Sequence, residues 1–383
     1  MQGWKTYELK ELVSLSKEKY NPKKETENLP CIELEHIEGE TGRLLGHTNS
    51  LDQGSIKNRF KPGNVLYGKL RPYLRKFYFP NFEGVCSSEI WVLHNNEEKI
   101  HNKYLYYLVQ TNRFNENANK STGTKMPRAD WSFMSEIIFP IPPLNEQQKI
   151  ASILSTWDKA IELKEKLIEQ KKEQKKGLMQ KLLTGEVRLP GFEGEWKEVR
   201  LGSILKERKE TGFEQLELLA ITSQKGVVRR TEVDIKDNSS EDKSKYKRIL
   251  PNDIGYNTMR MWQGVSGVSE YEGIVSPAYT ILKPTDKVYS YFMGYLFKLP
   301  TVVNLFKRYS QGLVSDTLNL KYENLKVIKV FIPTDINEQK SIAELFLCID
   351  KEINILQKEV DSFKQQKKGL MQLLLTGKVR VQV

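Results

Sequence analysis

Long apolar runs are missing from this chain of 383 residues. No stretch of about 18 apolar residues occurs, so a membrane span is not expected. The amino-terminal MQGWKTYELKEL has no apolar core of the kind secretory signals carry, and no such signal is expected. Cysteine is scarce: Cys31, Cys86 and Cys348 are odd in number and far apart. They make neither a disulfide framework nor a C-x-x-C zinc pattern, and they fit a reducing compartment. The four histidines, His36, His47, His94 and His101, lie in the first quarter of the chain without metal-ligand spacing. Phosphate-cradling glycine loops are also lacking. Gly68-Lys69 is followed by Leu70 rather than Ser or Thr, and no G-x-G-x-x-G occurs.

What is present excludes a mainly disordered chain: 39% of residues are hydrophobic and 10% aromatic. The length suits two or three domains with real cores. Sixty Lys and Arg stand against 49 Asp and Glu, a formal charge of +11. That balance favours polyanionic partners and a soluble, cytoplasmic protein.

An internal repeat decides the organisation. Residues 145–188 and 337–380 align without a gap at an offset of 192, and 23 of the 44 positions are identical. The block QKKGLMQ recurs unchanged at 174–180 and 366–372. The same offset pairs Trp4-Lys5 with Trp196-Lys197 and Leu9 with Leu201. Between these markers the likeness is weaker, at an offset near 189. Residues 62–67 (PGNVLY) answer 251–256 (PNDIGY), Arg71 answers Arg260, and Ser121 and Gly123 answer Ser310 and Gly312. The chain is two tandem copies of one unit, a variable body followed by a well-matched tail.

The tails predict long helices. In the second copy Ile342, Phe346, Ile349, Ile353, Leu356, Val360, Phe363, Leu370 and Leu374 keep alternating four- and three-residue steps, with Lys367 filling one polar step. That 3.5-residue period is a coiled-coil seam. The first copy carries Ile150, Leu154, Trp157, Ile161, Lys164, Ile168, Lys171, Lys175, Leu178 and Leu182 in the same phase. Pro142-Pro143 and Pro333 precede the helices, and Gly185 and Gly377 follow them, where a left-handed residue ends a helix at little cost. Gly177 and Gly369 lie inside, each costing about 1 kcal/mol relative to Ala. Close approach of two helix backbones is the expected reason.

The bodies read as mixed α/β. VLYGKL, EIWVLH, EIIFPI, AYTILK and VIKVFI are short β-branched and aromatic runs between Gly, Pro and Asn. HNKYLYYLVQTNRFNENA and YSYFMGYLFKLPTVVNLFKRY read as helices at matching places, and LPGFEGEW (189–196) as a connector. The expected fold class is α/β, with two mixed α/β domains separated by two long antiparallel coiled-coil helices and related by a pseudo-twofold repeat. The expected boundaries are 1–141 for the first domain and 142–186 for the central helix. The second domain takes 187–333 and the C-terminal spacer helix 334–383. Each tail of about 38 residues would measure about 57 Å. Antiparallel pairing then predicts a basic rod with a body at each end, suited to two sites over one turn apart on a duplex. The runner-up is that each tail binds a helix on another subunit. Because the bodies diverge more than the tails, the two sites should differ in sequence.

This arrangement closely resembles the specificity (S) subunit of type I restriction-modification enzymes. The resemblance rests on residues 142–150 (PPLNEQQKI) and 178–185 (LMQKLLTG), with their counterparts Asn337-Glu338-Gln339 and 370–377 (LMQLLLTG). The connector from Arg188-Leu189-Pro190-Gly191-Phe192 to Trp196 contributes as well, and the likeness covers essentially the whole chain. It implies two target recognition domains, each reading one half of a bipartite, asymmetric double-stranded DNA site. It also implies two N6-adenine methyltransferase (M) subunits and two restriction (R) subunits as partners. S-adenosylmethionine would sit in the M partner, ATP and Mg2+ in the R partner, and no cofactor on this chain. The second tail opens with Pro333-Thr334-Asp335-Ile336 rather than a double proline, which touches only the entry geometry.

Catalysis by the chain itself is not expected. The adenine-methyltransferase signature, Asn or Asp before Pro-Pro and an aromatic, has only the lookalike Ile141-Pro142-Pro143-Leu144. No nuclease-like carboxylate cluster or Ser-His-Asp spacing stands out. The competing readings are a stand-alone coiled-coil DNA-binding or architectural protein and an enzyme with degenerate motifs.

Lys and Arg supply most affinity for DNA through phosphates, while groove-facing side chains supply sequence. In the first body the candidates are Lys69, Arg71, Arg75 and Lys76 beside Tyr67 and Tyr73, with Lys125 and Arg128 in STGTKMPR. In the second they are Lys225, Arg229, Arg230, Lys247, Arg248, Arg260 and Gln263, near Lys243 and Lys245. Arg260 and Gln263 suit guanine and adenine edges. A solvated basic face explains any single one of them equally well, but for the STGTKMPR loop and the Tyr67–Lys76 segment DNA contact is the preferred reading, since both have counterparts in the other copy. For the lysines of QKKEQKKGLMQK that face is the preferred explanation. At the helices, the candidate subunit or helix contacts are Glu146, Gln147, Ile150, Leu154, Trp157, Ile161, Leu178 and Leu182. In the second copy they are Glu338, Gln339, Ile342, Phe346, Ile349, Ile353, Leu356, Leu370 and Leu374. Glu146 and Glu338 suit the positive end of a helix, and their recurrence also permits a docking role.

Overall fold

A computed structural model describes residues 3–120, 126–223, 225–233 and 242–382. It divides into two compact units, Met1–Glu165 with Lys358–Val383, and Lys166–Gln357. Each unit takes one body, half of a central helix Leu144–Leu182 and half of a C-terminal helix Ile336–Leu374. The division follows spatial contacts and so cuts both helices, unlike a division by sequence copies.

The two bodies repeat one topology. In the first, a four-stranded sheet runs in the order Val13–Leu15, Ile90–Asn95, Val65–Gly68, Phe77–Tyr78. In the second, the order is Leu205–Arg208, Tyr279–Pro284, Ile254–Asn257, Ser266–Val268, again antiparallel. A two-stranded pairing closes each body at its exit into a helix. Lys5–Glu8 pairs with Ile138–Ile141, and Trp196–Arg200 with Lys329–Pro333. The bodies differ beside the shared sheet. The first adds a five-stranded sheet with one parallel pair, Pro30–Ile32 against Gly84–Cys86, whereas the second holds two separate two-stranded pairings.

The strands expected from VLYGKL, EIWVLH, EIIFPI, AYTILK and VIKVFI are all present. The two expected body helices are each broken in two. Asn102–Leu108 and Asn112–Ala118 part where the Thr111 hydroxyl accepts the Phe114 amide as a cap. Ser290–Leu296 and Pro300–Tyr309 part because Pro300, lacking an amide proton, opens a new first turn.

Each core is completed by helix ends from both tails. In the first unit Ile150, Leu154, Leu374 and Leu375 pack with Tyr104, Phe114 and Phe139. In the second, Leu182, Leu183, Ile342 and Phe346 pack with Trp196, Phe292 and Phe306. The stripe is therefore apolar at its ends, where the bodies claim those residues.

Within each unit the helices run antiparallel and are joined by charge. In the first unit Trp157 meets Phe363 edge-on at 5.4 Å, and Lys164 pairs with Glu359 at 2.6 Å. In the second, Lys171 pairs with Glu352 at 2.9 Å and Lys175 with Asp350 at 2.6 Å. A solvated outer face is thus the wrong description of Lys171 and Lys175, although it suits Lys172 and Lys176, which pair along their own helix. Close backbone approach is also not the reason for Gly177 and Gly369. A methyl group built at either would meet nothing within 4 Å.

Candidate nucleic-acid interface

The four helix-start residues have internal duties. Glu338 is fully buried, and the Arg188 guanidinium donates to both its carboxylate oxygens at 2.5 and 2.7 Å. Trp196 Nε1 donates to the same carboxylate at 3.3 Å, with Arg188 lying over its ring. Glu146 is equally buried and takes Arg380 at 2.6 and 2.7 Å, with Arg380 over Trp4. Gln147 accepts the His101 amide at 2.7 Å and donates to the Lys99 and Pro142 carbonyls. Gln339 accepts the Tyr289 amide at 2.8 Å and donates to the Lys287 and Pro333 carbonyls. These contacts lock each helix start to a body and to the end of the other helix. Burial of all four removes the docking role that their recurrence permits.

A second repeated tie joins body to both helices. Tyr107 donates to Asp158 at 2.6 Å, and Asp158 also pairs with Lys367. Tyr295 donates to Asp350 at 2.7 Å, and Asp350 holds Lys175. Of the predicted apolar contacts, Ile150, Leu154, Ile161, Leu182, Ile342, Phe346 and Leu374 are buried. Trp157, Leu178, Ile349, Ile353, Leu356 and Leu370 are half-buried.

In each body three loops meet at one end of the shared sheet. In the first, the Lys69 amide donates to the Glu89 carbonyl at 2.9 Å and the Ala129 amide to the Lys69 carbonyl at 2.8 Å. The Arg71 amide donates to the Pro127 carbonyl at 2.8 Å. The segments that carry Lys69–Lys76 and Arg128, far apart in sequence, are thus brought together. In the second, the Thr258 hydroxyl donates to the Ala278 carbonyl at 2.8 Å and the Leu320 amide to the Thr258 carbonyl at 2.9 Å. The central loop of each trio was not singled out from sequence. Its signal was the serine shared by VCSSEI and IVSPAY, since Ser87 and Ser276 close the same turn at 3.0 Å.

The trio carries unlike side chains in the two bodies. Exposed Tyr73, Leu74 and Met126 stand in the first, and exposed Met259, Leu313 and Val314 in the second. Arg71 and Arg260 occupy the position before a 3-10 turn, Pro72–Leu74 and Met261–Gln263 respectively. Both are exposed, as are Lys225 and Gln263, and Lys69 is half-buried.

Several candidates are committed elsewhere. Lys76 donates to the Leu34 carbonyl at 2.7 Å, and Lys247 to the Tyr279 carbonyl at 2.7 Å, burial lowering its pKa. Arg248 is clamped between Glu272 and Glu210 and lies over Phe213. Arg128 grips Glu89 through two nitrogens, which raises its pKa, and Arg229 pairs with Glu217 at 3.5 Å beside Tyr271. Arg230 is half-buried and engaged within the fold. Lys125 lies outside the described residues. Lys76, Lys247 and Arg248 are therefore structural cations here, because leaving a half-buried cation unpaired is costly.

Each 3-10 turn is pinned to the break between its body's helices, with the donor reversed. Arg75 reaches from the turn to the Gln110 carbonyl at 2.7 Å and Asn112 at 3.2 Å. Lys298 reaches from the break to the Gly264 and Ser266 carbonyls at 2.6 and 2.8 Å. Burial holds the Lys298 pKa down to about 8, below the 10.5 usual for a lysine. Between those values the unfolded chain binds the extra proton, so folding stability rises with pH. The contribution is complete above about 10.5 and is lost as pH falls through about 8. Denaturant titrations of wild type and Lys298→Met should therefore diverge in favour of wild type between pH 8 and 10. Parallel curves would place the Lys298 titration elsewhere.

Comparison with known proteins agrees with this construction. The family described as "Type I restriction modification DNA specificity domain" matches residues 1–172. The type I restriction enzyme EcoDI specificity subunit of Escherichia coli is 36% identical over 30% of this chain and 26% of its own length. The type I restriction enzyme MjaVIII specificity subunit of Methanocaldococcus jannaschii is 28% identical over 78% of this chain and 75% of its own length. The fold is shared with the type I restriction-modification S subunit of M. genitalium, at 18% identity and a TM-score of 0.59 over 97% of this chain and 96% of that one. It is also shared with a chain solved in work on complex assembly and conformational transition of the type I R-M system, at 16% identity and a TM-score of 0.61 over 99% of both. Residues 1–172 thus carry the likeness to the type I specificity domain, and the chain as a whole is similar to specificity subunits of type I restriction-modification systems.

Proposed function

We propose that this chain is the DNA sequence-specificity subunit of a type I restriction-modification system and recognises a split, asymmetric target, one half per body. The observation that carries this reading is the three-loop platform, built on the same sheet in both bodies but dressed with different side chains. Such a pair recognises two unlike half-sites with one backbone design. The chain places methyltransferase and restriction partners on DNA and does no chemistry itself. Two M and two R subunits suit a chain whose two copies repeat their helix contacts. S-adenosylmethionine belongs to the M partner, and ATP and Mg2+ to the R partner. Work on the chromosome places the complex in the cytoplasm. No helix among the described residues is long and apolar enough to cross a membrane, which is compatible with that placement. The likeness to specificity subunits favours this reading over a stand-alone architectural protein.

Co-expression with a methyltransferase partner, followed by mapping of N6-methyladenine across host DNA, tests it. A split, asymmetric motif that requires both chains is the expected result. A stable complex with no new motif would overturn the recognition role.

A further inference from the structure

Arg71 and Arg260 lie at one position of two bodies that otherwise differ on the same turn. Each follows the matching sheet strand, Val65–Gly68 or Ile254–Asn257, and each stands immediately before the 3-10 turn of the three-loop platform. Next to them the turns read Pro72-Tyr73-Leu74 and Met261-Trp262-Gln263, with no residue in common. The preceding residues also differ, Lys69-Leu70 against Thr258-Met259. Among the described residues neither guanidinium makes an ion pair or hydrogen bond, whereas Arg75, Lys76, Arg128, Lys247 and Arg248 are all engaged. The backbones that carry them differ, Arg71 holding a left-handed φ of +52° with its amide on the Pro127 carbonyl and Arg260 a φ of −127° with its amide on the Asn257 carbonyl, so what the two share is position and guanidinium.

A side chain that distinguishes one half-site from the other must differ between the bodies. One that is the same in both, exposed and unengaged, suits what any two half-sites share, and that is the sugar-phosphate backbone. A guanidinium offers two parallel donors to a phosphate and remains charged at any working pH. We propose that Arg71 and Arg260 are equivalent phosphate clamps that set each body's register on the duplex, while the unlike residues beside them read bases. The inference rests on the functional reading above. It reassigns Arg260 from base edge to phosphate and leaves Gln263 as a base reader.

The test uses the complex of the full chain with its methyltransferase partner. Affinity for a target duplex and for one with both half-sites scrambled is measured from 50 to 200 mM salt. Each released phosphate contact lowers the log–log salt slope by about 0.9, so Arg71→Gln or Arg260→Gln should lose about 3.5-fold less affinity than wild type across that range. Both duplexes should weaken by the same factor at low salt, and the methylated motif should be unchanged. Arg→Lys at either position should keep the slope, which a merely structural role would not require. A motif relaxed in one half, or an unchanged slope, would overturn the assignment. The functional reading is judged separately, by whether the wild-type complex prefers the target duplex at all, and the slope decides the arginines in either case.

Discussion

Replacing Arg188 with methionine will destabilise the second unit by about 3–5 kcal/mol, because it leaves the Glu338 carboxylate buried without its cation. Methionine keeps much of the stem that lies beside Trp196, so the loss is mainly electrostatic. Adding Glu338→Gln should recover most of it, since a neutral amide needs no counter-charge in that pocket. The double-mutant cycle, followed by denaturant unfolding, should therefore show a coupling well above that of an exposed pair, about 0.2–1 kcal/mol. A single variant within about 0.5 kcal/mol of wild type would mean that the buried pair is not what holds the helix start. Arg380→Met should act in the same way on Glu146 in the first unit.

Exchanging residues 5–141 for the corresponding body of another specificity subunit should replace one half of the methylated motif completely and leave the other half unaltered. The helix attachments indicate which exchanges will fold. Gln147 binds backbone groups of residues 99, 101 and 142, which any donor body supplies. Tyr107 is different, because its hydroxyl satisfies Asp158 beneath Lys367. A donor with phenylalanine there should give a less stable chimera, by about 1.5–3 kcal/mol for a hydrogen bond to a charged group. Restoring tyrosine should rescue stability without altering the motif. Methyladenine mapping reads the first effect and thermal unfolding the second. Altered bases in both halves would end the modular account.

Much of the architecture was legible in the chain. The 192-residue repeat, the 3.5-residue stripe and the proline and glycine at the helix ends announced two copies and two long helices. Pro143 and Gly185, and Pro333 and Gly377, stand within three residues of the ends of Leu144–Leu182 and Ile336–Leu374, whereas the expected segment 334–383 runs nine residues past its helix. The strand runs were equally plain, since β-branched residues between turn formers have few other uses. Legibility failed where an identity had two physical causes. Lys171 and Lys175 look like a wet helix face until Glu352 and Asp350 come opposite them. Lys76, Lys247 and Arg248 look like phosphate ligands until a carbonyl or a carboxylate from a distant segment takes the charge.

Gly177 and Gly369 show the same limit in reverse. Their cost suggested a tight contact, and the space beside them is open. Nothing in the fold of this chain alone explains them.

Sequence by itself determined the duplication, the helix periodicity and the unlikeness of the two bodies, because all three are written in local pattern and self-comparison. Tertiary structure decided which charges are free. Among the described residues Arg71 and Arg260 remain available while Arg75, Lys76, Arg128, Lys247 and Arg248 are spent, and Glu146 and Glu338 are internal rather than docking groups. The physical reason is that a charge is assigned by what lies within about 4 Å of it. For most of these residues that neighbour lies tens or hundreds of positions away, as Arg380 does from Glu146.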